Sequence, residues 1–196
     1  MSTNTPHNNS NLLHAVNGRA LDEVWPTNLQ NIGLGMGCFW GVERLFWQQK
    51  GVYVTATGYQ GGAQINPNYT DVCQHQTDHA ESVRVVFDPD IVSLAQILAI
   101  FWENHDPTQG DAQGNDVGGQ YRSMIFAQNA QQAEQATDSL HKAQVLLDAK
   151  GFGKITTEIV IGAKFWLAEE EHQQYLAKNP GGYCNLAGTG IFCGAE

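Results

Sequence analysis

The 196-residue sequence has few basic side chains, and this scarcity limits the kinds of partner it can bind. Ten lysines and arginines stand against twenty aspartates and glutamates, which gives a formal net charge of −10. A chain with this charge repels nucleic acid and anionic membrane surfaces. We therefore expect neither kind of partner.

Long apolar runs are also missing from the sequence. The first residues lack the basic start and apolar stretch of a secretory signal, and no apolar run approaches the length that spans a bilayer. We therefore expect a cytoplasmic protein, in which the four cysteines start out as thiols. Cysteines in a reducing compartment indicate chemistry or metal binding and not structural disulfides.

The chain is long enough to bury one sizeable core, and we expect one catalytic α/β domain over residues 26–178. Residues 1–25 contain many asparagines and few large apolar groups, which predicts a mobile arm with little role in the fold. Residues 179–196 are rich in glycine and have almost nothing to bury, so they are expected to form a flexible coil tail. This tail holds two of the four cysteines.

Within the expected domain, hydrophobic periodicity predicts strands that alternate with helices. Strands are predicted over residues 31–37, 52–62, 81–88, 121–127 and 155–162, and helices over residues 38–49, 93–105, 130–150 and 169–178. The polar segment 64–80 is too rich in proline, asparagine and aspartate for regular structure. The order βαββαβ, with further elements after it, predicts an α+β two-layer sandwich with a ferredoxin-like core.

The segment GLGMGCFWG, residues 33–41, places Cys38 where the first predicted strand meets the first predicted helix. A helix N-terminus stabilises a thiolate, and the glycines leave the sulfur open. Phe39 and Trp40 are placed to line an apolar pocket beside it. A lone cysteine is more often structural, but these coincident features favour a reactive thiol. A dinucleotide-binding fingerprint is excluded, because its third glycine position holds Cys38 in one frame and Trp40 in the other.

Glu81 is the second candidate for chemistry. Val83 and Val85 lie on an apolar strand face, and counting back by two places Glu81 on the same face. A carboxyl group that loses hydration has a raised pKa and can donate a proton near neutral pH. The alternative is a strand-end residue that reaches solvent or pairs with Arg84 or Arg122, and without a partner site this alternative is favoured.

The remaining cysteines raise the question of metal binding. Cys73, His75 and His79 are metal-ligand residue types, but the paired cysteines of a zinc knuckle are missing, which disfavours a zinc site. Cys184 and Cys193 lie nine residues apart in the tail and form a zinc pair, a redox relay or two spare thiols. A tethered thiol can condense with a sulfenic acid to give a disulfide, so the flexible tail favours the relay.

Seven motifs, taken in order, resemble those of the A-type peptide methionine sulfoxide reductases. They are GCFWGVE (residues 37–43), GYQGG (58–62), NPNYTDVC (66–73), HAESVRVVFDP (79–89), FWENHDPT (101–108), GNDVGGQYRS (114–123) and KNPGGYC (178–184). The resemblance extends from about residue 30 to the C-terminus. It implies an oxidoreductase that reduces the S epimer of methionine sulfoxide, free or in proteins, and so repairs oxidative damage.

The resemblance also implies a role for each residue at a matching position. Cys38 would attack the sulfoxide sulfur, Glu81 would protonate its oxygen, and Cys184 would convert the resulting sulfenic acid to a disulfide. The other implied site residues are Tyr69 and Tyr121 as hydroxyl donors to the oxygen, Phe39 and Trp40 as the methyl pocket, Asp116 as a contact to the substrate backbone, and Cys193 as the thiol that passes the disulfide on.

The implied chemistry needs no metal or other cofactor, because thioredoxin or a dithiol supplies the electrons. The expected partners are oxidised proteins and peptides, free methionine sulfoxide and thioredoxin, and a monomer is expected. Two rival functions stay open at this point. Another thiol enzyme, such as a peroxidase, would turn over peroxide faster than sulfoxide, and a zinc-binding interaction module would hold stoichiometric metal.

Overall fold

The computed structural model describes residues 12–22, 24–74 and 76–194. Its strands are β1 (Gln30–Gly35), β2 (Val52–Gln60), β3 (Ala80–Phe87), β4 (Ala112–Gln113), β5 (Asp116–Val117), β6 (Met124–Ala127), β7 (Glu158–Ile161) and β8 (Trp166–Leu167). Its helices are α1 (Phe39–Trp47), α2 (Tyr69–Cys73), α3 (Leu94–Glu103), α4 (Ala130–Ala149) and α5 (Tyr175–Lys178), with a 3-10 helix at Gly119–Tyr121.

Six of the strands form one sheet in the order β7-β6-β1-β3-β2-β8. β1 pairs antiparallel with β3 and β6, β2 pairs antiparallel with β3 and β8, and β7 lies parallel to β6. The four central strands, with α1 and α3, make the βαββαβ unit in which β1 and β2 flank β3. The predicted fold class, an α+β sandwich with a ferredoxin-like core, is confirmed.

Helices α1, α3 and α4 pack against one face of this sheet and form the main core with it. Val83 and Val85 of β3 belong to that core and are fully buried. Because side chains alternate along a strand, Glu81 faces the same side as Val83, and it is 1% exposed. The alternation in the sequence therefore placed Glu81 on the correct face.

Leu21, within the N-terminal segment 12–22, is buried beside Val54 on the opposite face of the sheet. Nε2 of the buried His14 lies 3.0 Å from the hydroxyl oxygen of Thr55. This packing differs from the expectation of little role in the fold, because a few apolar side chains in a polar segment are enough to cover the second face. Residues 1–11 lie outside the described residues, and mobility of the arm stays a prediction.

Residues 179–194 form a coil without regular structure. Ile191 is nevertheless 5% exposed and belongs to the main core, and the backbone N–H of Cys193 donates to Glu103 Oε1 at 2.7 Å. The tail therefore lies on the helical layer and has more to bury than its glycine content indicates. Its flexibility stays a prediction.

Two local features differ from the predicted elements. The segment expected to be irregular contains α2, whose start is capped by the Asn68 side chain accepting from Asp71 N at 2.9 Å. The last helix begins at Tyr175 and not at residue 169, since Gln174 before it has a left-handed backbone with φ 47°. Within the described part of the chain, no helix is long and apolar enough to cross a membrane.

Candidate active site

The first turn of α1 holds a thiol and a carboxyl group side by side. Cys38 is the residue immediately before the helix, and Gly37 before it has φ 91°, the left-handed region that favours glycine. The Cys38 side chain makes no capping hydrogen bond to the start of α1. The backbone N–H of Phe39 donates to Glu81 Oε2 at 3.0 Å.

The surroundings of Cys38 favour the neutral thiol in the free protein. Burial and then the Glu81 carboxylate raise the pKa of the Cys38 thiol well above its ordinary value, while the Trp40 N–H opposes this. This direction runs against the expectation of a thiolate at the helix start, and the reactivity of Cys38 stays a prediction. One of the first-turn N–H groups binds Glu81 and not the sulfur, and the thiol is largely removed from water.

Glu81 lies at the start of β3 with its side chain buried. Burial raises the pKa of Glu81 to about 8, the Phe39 N–H opposes this, and the Asp116 carboxylate adds to it. The carboxyl group is therefore mostly protonated at neutral pH and can donate a proton. In this form it also carries no negative charge next to Cys38.

Tyr69 and Tyr121 present two phenols to the same region, and both are half-buried. Burial is the main cause that raises the pKa of each phenol, and the Glu81 carboxylate contributes to both. Each phenol therefore keeps its proton and can donate a hydrogen bond. The backbone N–H of Tyr69 donates to Glu169 Oε1 at 2.8 Å, which fixes the start of α2.

Phe39 and Trp40 lie beside the thiol, with Phe39 buried and Trp40 half-buried. The Trp40 ring stacks on Tyr175 with 4.0 Å between centroids, and its indole N–H donates to His172 Nδ1 at 3.3 Å. The ring of Tyr69 lies 4.4 Å from that of His172. The sequence assigned His172 and Tyr175 only to a short final helix, and the closely spaced HQQY residues were the one signal that it offered.

Asp116 and Cys184 connect the tail to this site. The Tyr183 hydroxyl donates to Asp116 Oδ1 at 2.9 Å, and Asp116 Oδ2 is buried without a partner among the described residues. The Cys184 sulfur lies 2.8 Å from the position that a Cβ on Gly41 would occupy. Only glycine allows this approach, so the tail rests on α1 one helical turn from Cys38.

Cys193 lies elsewhere, in a cavity of about 430 Å³ between α3 and α4 that Trp102 and Ser139 also line. Burial and then the Glu103 charge raise the pKa of its thiol to about 11. The other predicted site residues lie together around the start of α1, where their charges perturb one another. Cys193 is not one of this group in the structure.

The residues of the zinc hypothesis have other partners where they are described. His79 Nδ1 accepts from Gly62 N at 3.0 Å, and its Nε2 lies 2.9 Å from the carbonyl oxygen of Gln64. Cys73 is half-buried and its thiol interacts with the Tyr69 hydroxyl. His75 lies outside the described residues, and no group of three or more possible ligands was found in residues 12–22, 24–74 and 76–194.

The fold and the site define an α+β enzyme of the thiol-dependent oxidoreductase class. A family model described as peptide methionine sulfoxide reductase matches residues 30–190. The peptide methionine sulfoxide reductase MsrA of Maricaulis maris is 56% identical over 180 residues, which are 92% of this chain and 83% of the relative.

Solved structures similar to this chain include a methionine sulfoxide reductase. Methionine sulfoxide reductase A of Corynebacterium diphtheriae superposes with a TM-score of 0.82 at 42% identity, covering 93% of this chain and 89% of that one. Mxr1 of Saccharomyces cerevisiae in reduced form has a TM-score of 0.73 at 32% identity, covering 87% and 95%. The chain belongs to the peptide methionine sulfoxide reductase family.

Proposed function

We propose that this protein reduces methionine sulfoxide, free or in proteins, to methionine through its thiols. The observation that carries the proposal is the start of α1, where Cys38 immediately precedes the helix and the Phe39 N–H binds Glu81 Oε2 at 3.0 Å. A nucleophile and a neutral acid are held side by side, as the reaction needs, because protonation of the sulfoxide oxygen assists both the attack on sulfur and the cleavage of the substrate S–O bond.

In the first step, the Cys38 sulfur attacks the sulfoxide sulfur while Glu81 protonates the oxygen. Tyr69 and Tyr121 donate hydrogen bonds to the same oxygen and stabilise its developing charge. The attack forms an S–S bond in an adduct that keeps the hydroxyl on the substrate sulfur. The hydroxyl then moves to the Cys38 sulfur while the S–S bond and the substrate S–O bond break, which releases methionine and leaves Cys38 as a sulfenic acid. The thiol proton of Cys38 restores the one that Glu81 gave. Cys38 is thereby oxidised by two electrons and the substrate sulfur is reduced by two.

Substrate binding uses the groups around that pair. Phe39 and Trp40 hold the methyl group against their rings, and the rigid stack of Trp40 on Tyr175 at 4.0 Å supports this assignment. Asp116 binds the backbone of the substrate through its carboxylate. Preference for the S epimer is assigned from the family resemblance.

Recycling uses the tail. The Cys184 thiol condenses with the sulfenic acid on Cys38, which releases water and forms a disulfide. Cys193 then attacks Cys184, after leaving the cavity between α3 and α4, and the new disulfide is reduced by exchange with an external dithiol. Mxr1 of Saccharomyces cerevisiae has been solved in complex with Trx2, and we propose thioredoxin as the reductant here.

We further propose that the protein acts without a metal or other cofactor, as a cytoplasmic monomer with no nucleic-acid or membrane partner. The boundaries at residues 25 and 178, between arm, catalytic domain and tail, are part of the same proposal. Metal analysis of the purified protein tests the absence of a bound metal, and light scattering tests the monomeric state.

The function is tested by adding one equivalent of methionine sulfoxide to the reduced protein without reductant, followed by mass spectrometry and peptide mapping. We expect free methionine and a disulfide that joins Cys38 to Cys184 or Cys184 to Cys193. Untouched thiols would refute the proposed chemistry. Faster oxidation by peroxide than by sulfoxide would favour a peroxidase.

A further inference from the structure

A second buried carboxyl group lies on α1, outside the chemistry proposed above. Glu43 is 0% exposed, three residues after Trp40 and four after Phe39, so it shares their side of the helix. Its carboxylate accepts three hydrogen bonds: from Gln174 N at 2.7 Å, from Gln174 Nε2 at 2.6 Å and from Thr55 Oγ1 at 3.2 Å. Such a fully bonded group positions its partners.

The main partner, Gln174, has an uncommon backbone conformation. Its φ of 47° and ψ of 42° lie in the left-handed region, which is unfavourable for a non-glycine residue. It is fully buried, and both ends of its side-chain amide are bonded, with Nε2 donating to Glu43 and Oε1 accepting from Ala15 N at 2.9 Å. Glu43, through two hydrogen bonds, and the Ala15 N–H, through one, therefore hold this turn in place.

The turn at Gln174 determines where two aromatic side chains meet Trp40. Tyr175, the next residue, stacks on the Trp40 ring with 4.0 Å between centroids and an interplanar angle of 19°. His172, two residues earlier, accepts the Trp40 indole N–H at 3.3 Å and lies 5.9 Å away between ring centroids. Both supports of the indole therefore flank the residue that Glu43 holds.

We propose that Glu43 is a positioning residue for substrate recognition, which fixes the Gln174 turn and through it the orientation of Trp40. The proposal rests on the proposed function, since it concerns the methyl-binding role of Trp40. Glu43 touches no reacting atom in this scheme. Its loss changes the affinity for the sulfoxide more than the rate of the chemical step.

The same network extends to the N-terminal segment. The Thr55 hydroxyl donates to Glu43, so it accepts from His14 Nε2, whose other ring nitrogen accepts from Val16 N at 3.2 Å. Burial lowers the pKa of His14 to about 4, with Arg19 contributing, so the ring is neutral and can keep this arrangement. Residues 14–16 thus help to hold the Gln174 turn, to which the Ala15 N–H also donates directly.

The test compares Glu43→Gln with the double variant Glu43→Gln, Gln174→Glu. In the single variant, an amide NH₂ faces donors from Gln174, and we expect KM for methionine sulfoxide to rise about tenfold while kcat falls less than about threefold. The double variant exchanges the carboxylate and the amide, so donors again face acceptors, and KM should return to within about threefold of wild type.

A spectroscopic readout follows Trp40 directly. The near-UV circular dichroism of a stacked Trp40–Tyr175 pair should be lost in Glu43→Gln and restored in the double variant, with Trp40→Phe defining the size of the signal. A purely structural role would lower the fraction of folded protein and reduce kcat in proportion, with no effect of the exchange on KM.

A milder pair of variants keeps the proposal testable if Glu43→Gln does not fold. Thr55→Val removes one donor to Glu43, and Thr57→Val, two residues along the same strand, removes a hydroxyl without a partner in the described residues. We expect KM to rise severalfold in the first and to stay unchanged in the second. Equal KM values in wild type, Thr55→Val and Glu43→Gln would overturn the proposal, whereas absence of sulfoxide reduction in wild type would overturn the proposed function itself.

Discussion

Replacing Glu81 by glutamine should change how the stability of this protein depends on pH. The carboxyl group is 1% exposed and burial raises its pKa from 4.5 to about 8. Between these pH values the folded protein holds a proton that the unfolded chain has released, so the free energy of unfolding falls as pH rises. Between pH 4.5 and about 8, each pH unit lowers the free energy of unfolding by about 1.4 kcal/mol. Below pH 4.5 Glu81 is protonated in both the folded and the unfolded state, so no stability is lost there.

From pH 5 to pH 8, Glu81 should therefore remove roughly 3–4 kcal/mol of stability, allowing for its partial ionisation near pH 8. Glu81→Gln removes this titration and keeps an oxygen that accepts from the Phe39 N–H. Glu43 titrates in a similar way, because burial raises its pKa to about 7, but it does so in both proteins. The difference between wild type and Glu81→Gln in the pH dependence of the unfolding free energy therefore reports on Glu81 alone.

The assay is urea unfolding followed by circular dichroism at pH 5, 6, 7 and 8, at constant ionic strength and with reductant present. Glu134→Gln, which removes an exposed carboxylate on α4, is the matched control and should give a curve parallel to wild type. If Glu81→Gln also runs parallel to wild type, Glu81 is ionised in the folded protein and cannot be the neutral acid of the proposed mechanism.

Glu81→Gln also distinguishes loss of the proposed acid from a change in the nucleophilicity of Cys38. Loss of the proposed acid should slow sulfoxide reduction by about 10²–10⁴-fold. Alkylation of Cys38 by iodoacetamide should be largely unchanged, since alkylation needs no general acid and Glu81 is mostly neutral near pH 7. Equal losses in both reactions would indicate that Glu81 only supports the structure.

Three further predictions concern the tail and the sheet. Cys184→Ser should release about one methionine per enzyme and then stall with thioredoxin, so continued turnover would exclude this cysteine from the relay. Gly41→Ala places a Cβ 2.8 Å from the Cys184 sulfur and should slow disulfide formation after a normal first release of methionine, as followed by quenched single-turnover mapping. Thr57→Val removes a buried hydroxyl that has no partner in the described residues and should stabilise the protein by about 1 kcal/mol, so a lower Tm would contradict this.

Much of the fold was predictable from local patterns. Alternation in β3 placed Glu81 on the buried face, and the order of strands and helices indicated the ferredoxin-like core. These features depend on periods of two and 3.6 residues, which a single sequence displays. Motif resemblance identified the nucleophile and its neighbours, whose catalytic roles stay predictions.

The parts that sequence could not supply depend on contacts between distant segments. A carboxylate in the buried stripe of α1 was visible at Glu43, but its partner lies 131 residues away and has a left-handed backbone that glutamine rarely adopts. The direction in which the pKa of Cys38 shifts depends on burial and on the first-turn N–H of Phe39, which binds Glu81 and not the sulfur. Neither can be inferred from spacing along the chain.

The glycine at position 41 has a kinetic consequence for the oxidised enzyme. Because the Cys184 sulfur already lies on the backbone of α1, one turn from Cys38, the proposed resolving thiol is held near Cys38 at a high effective concentration before any oxidation occurs. In the proposed cycle, a sulfenic acid on Cys38 then has a neighbouring thiol that outcompetes dilute cellular thiols for it. The interval in which a second oxidant could convert the sulfenic acid irreversibly to sulfinic acid is correspondingly short.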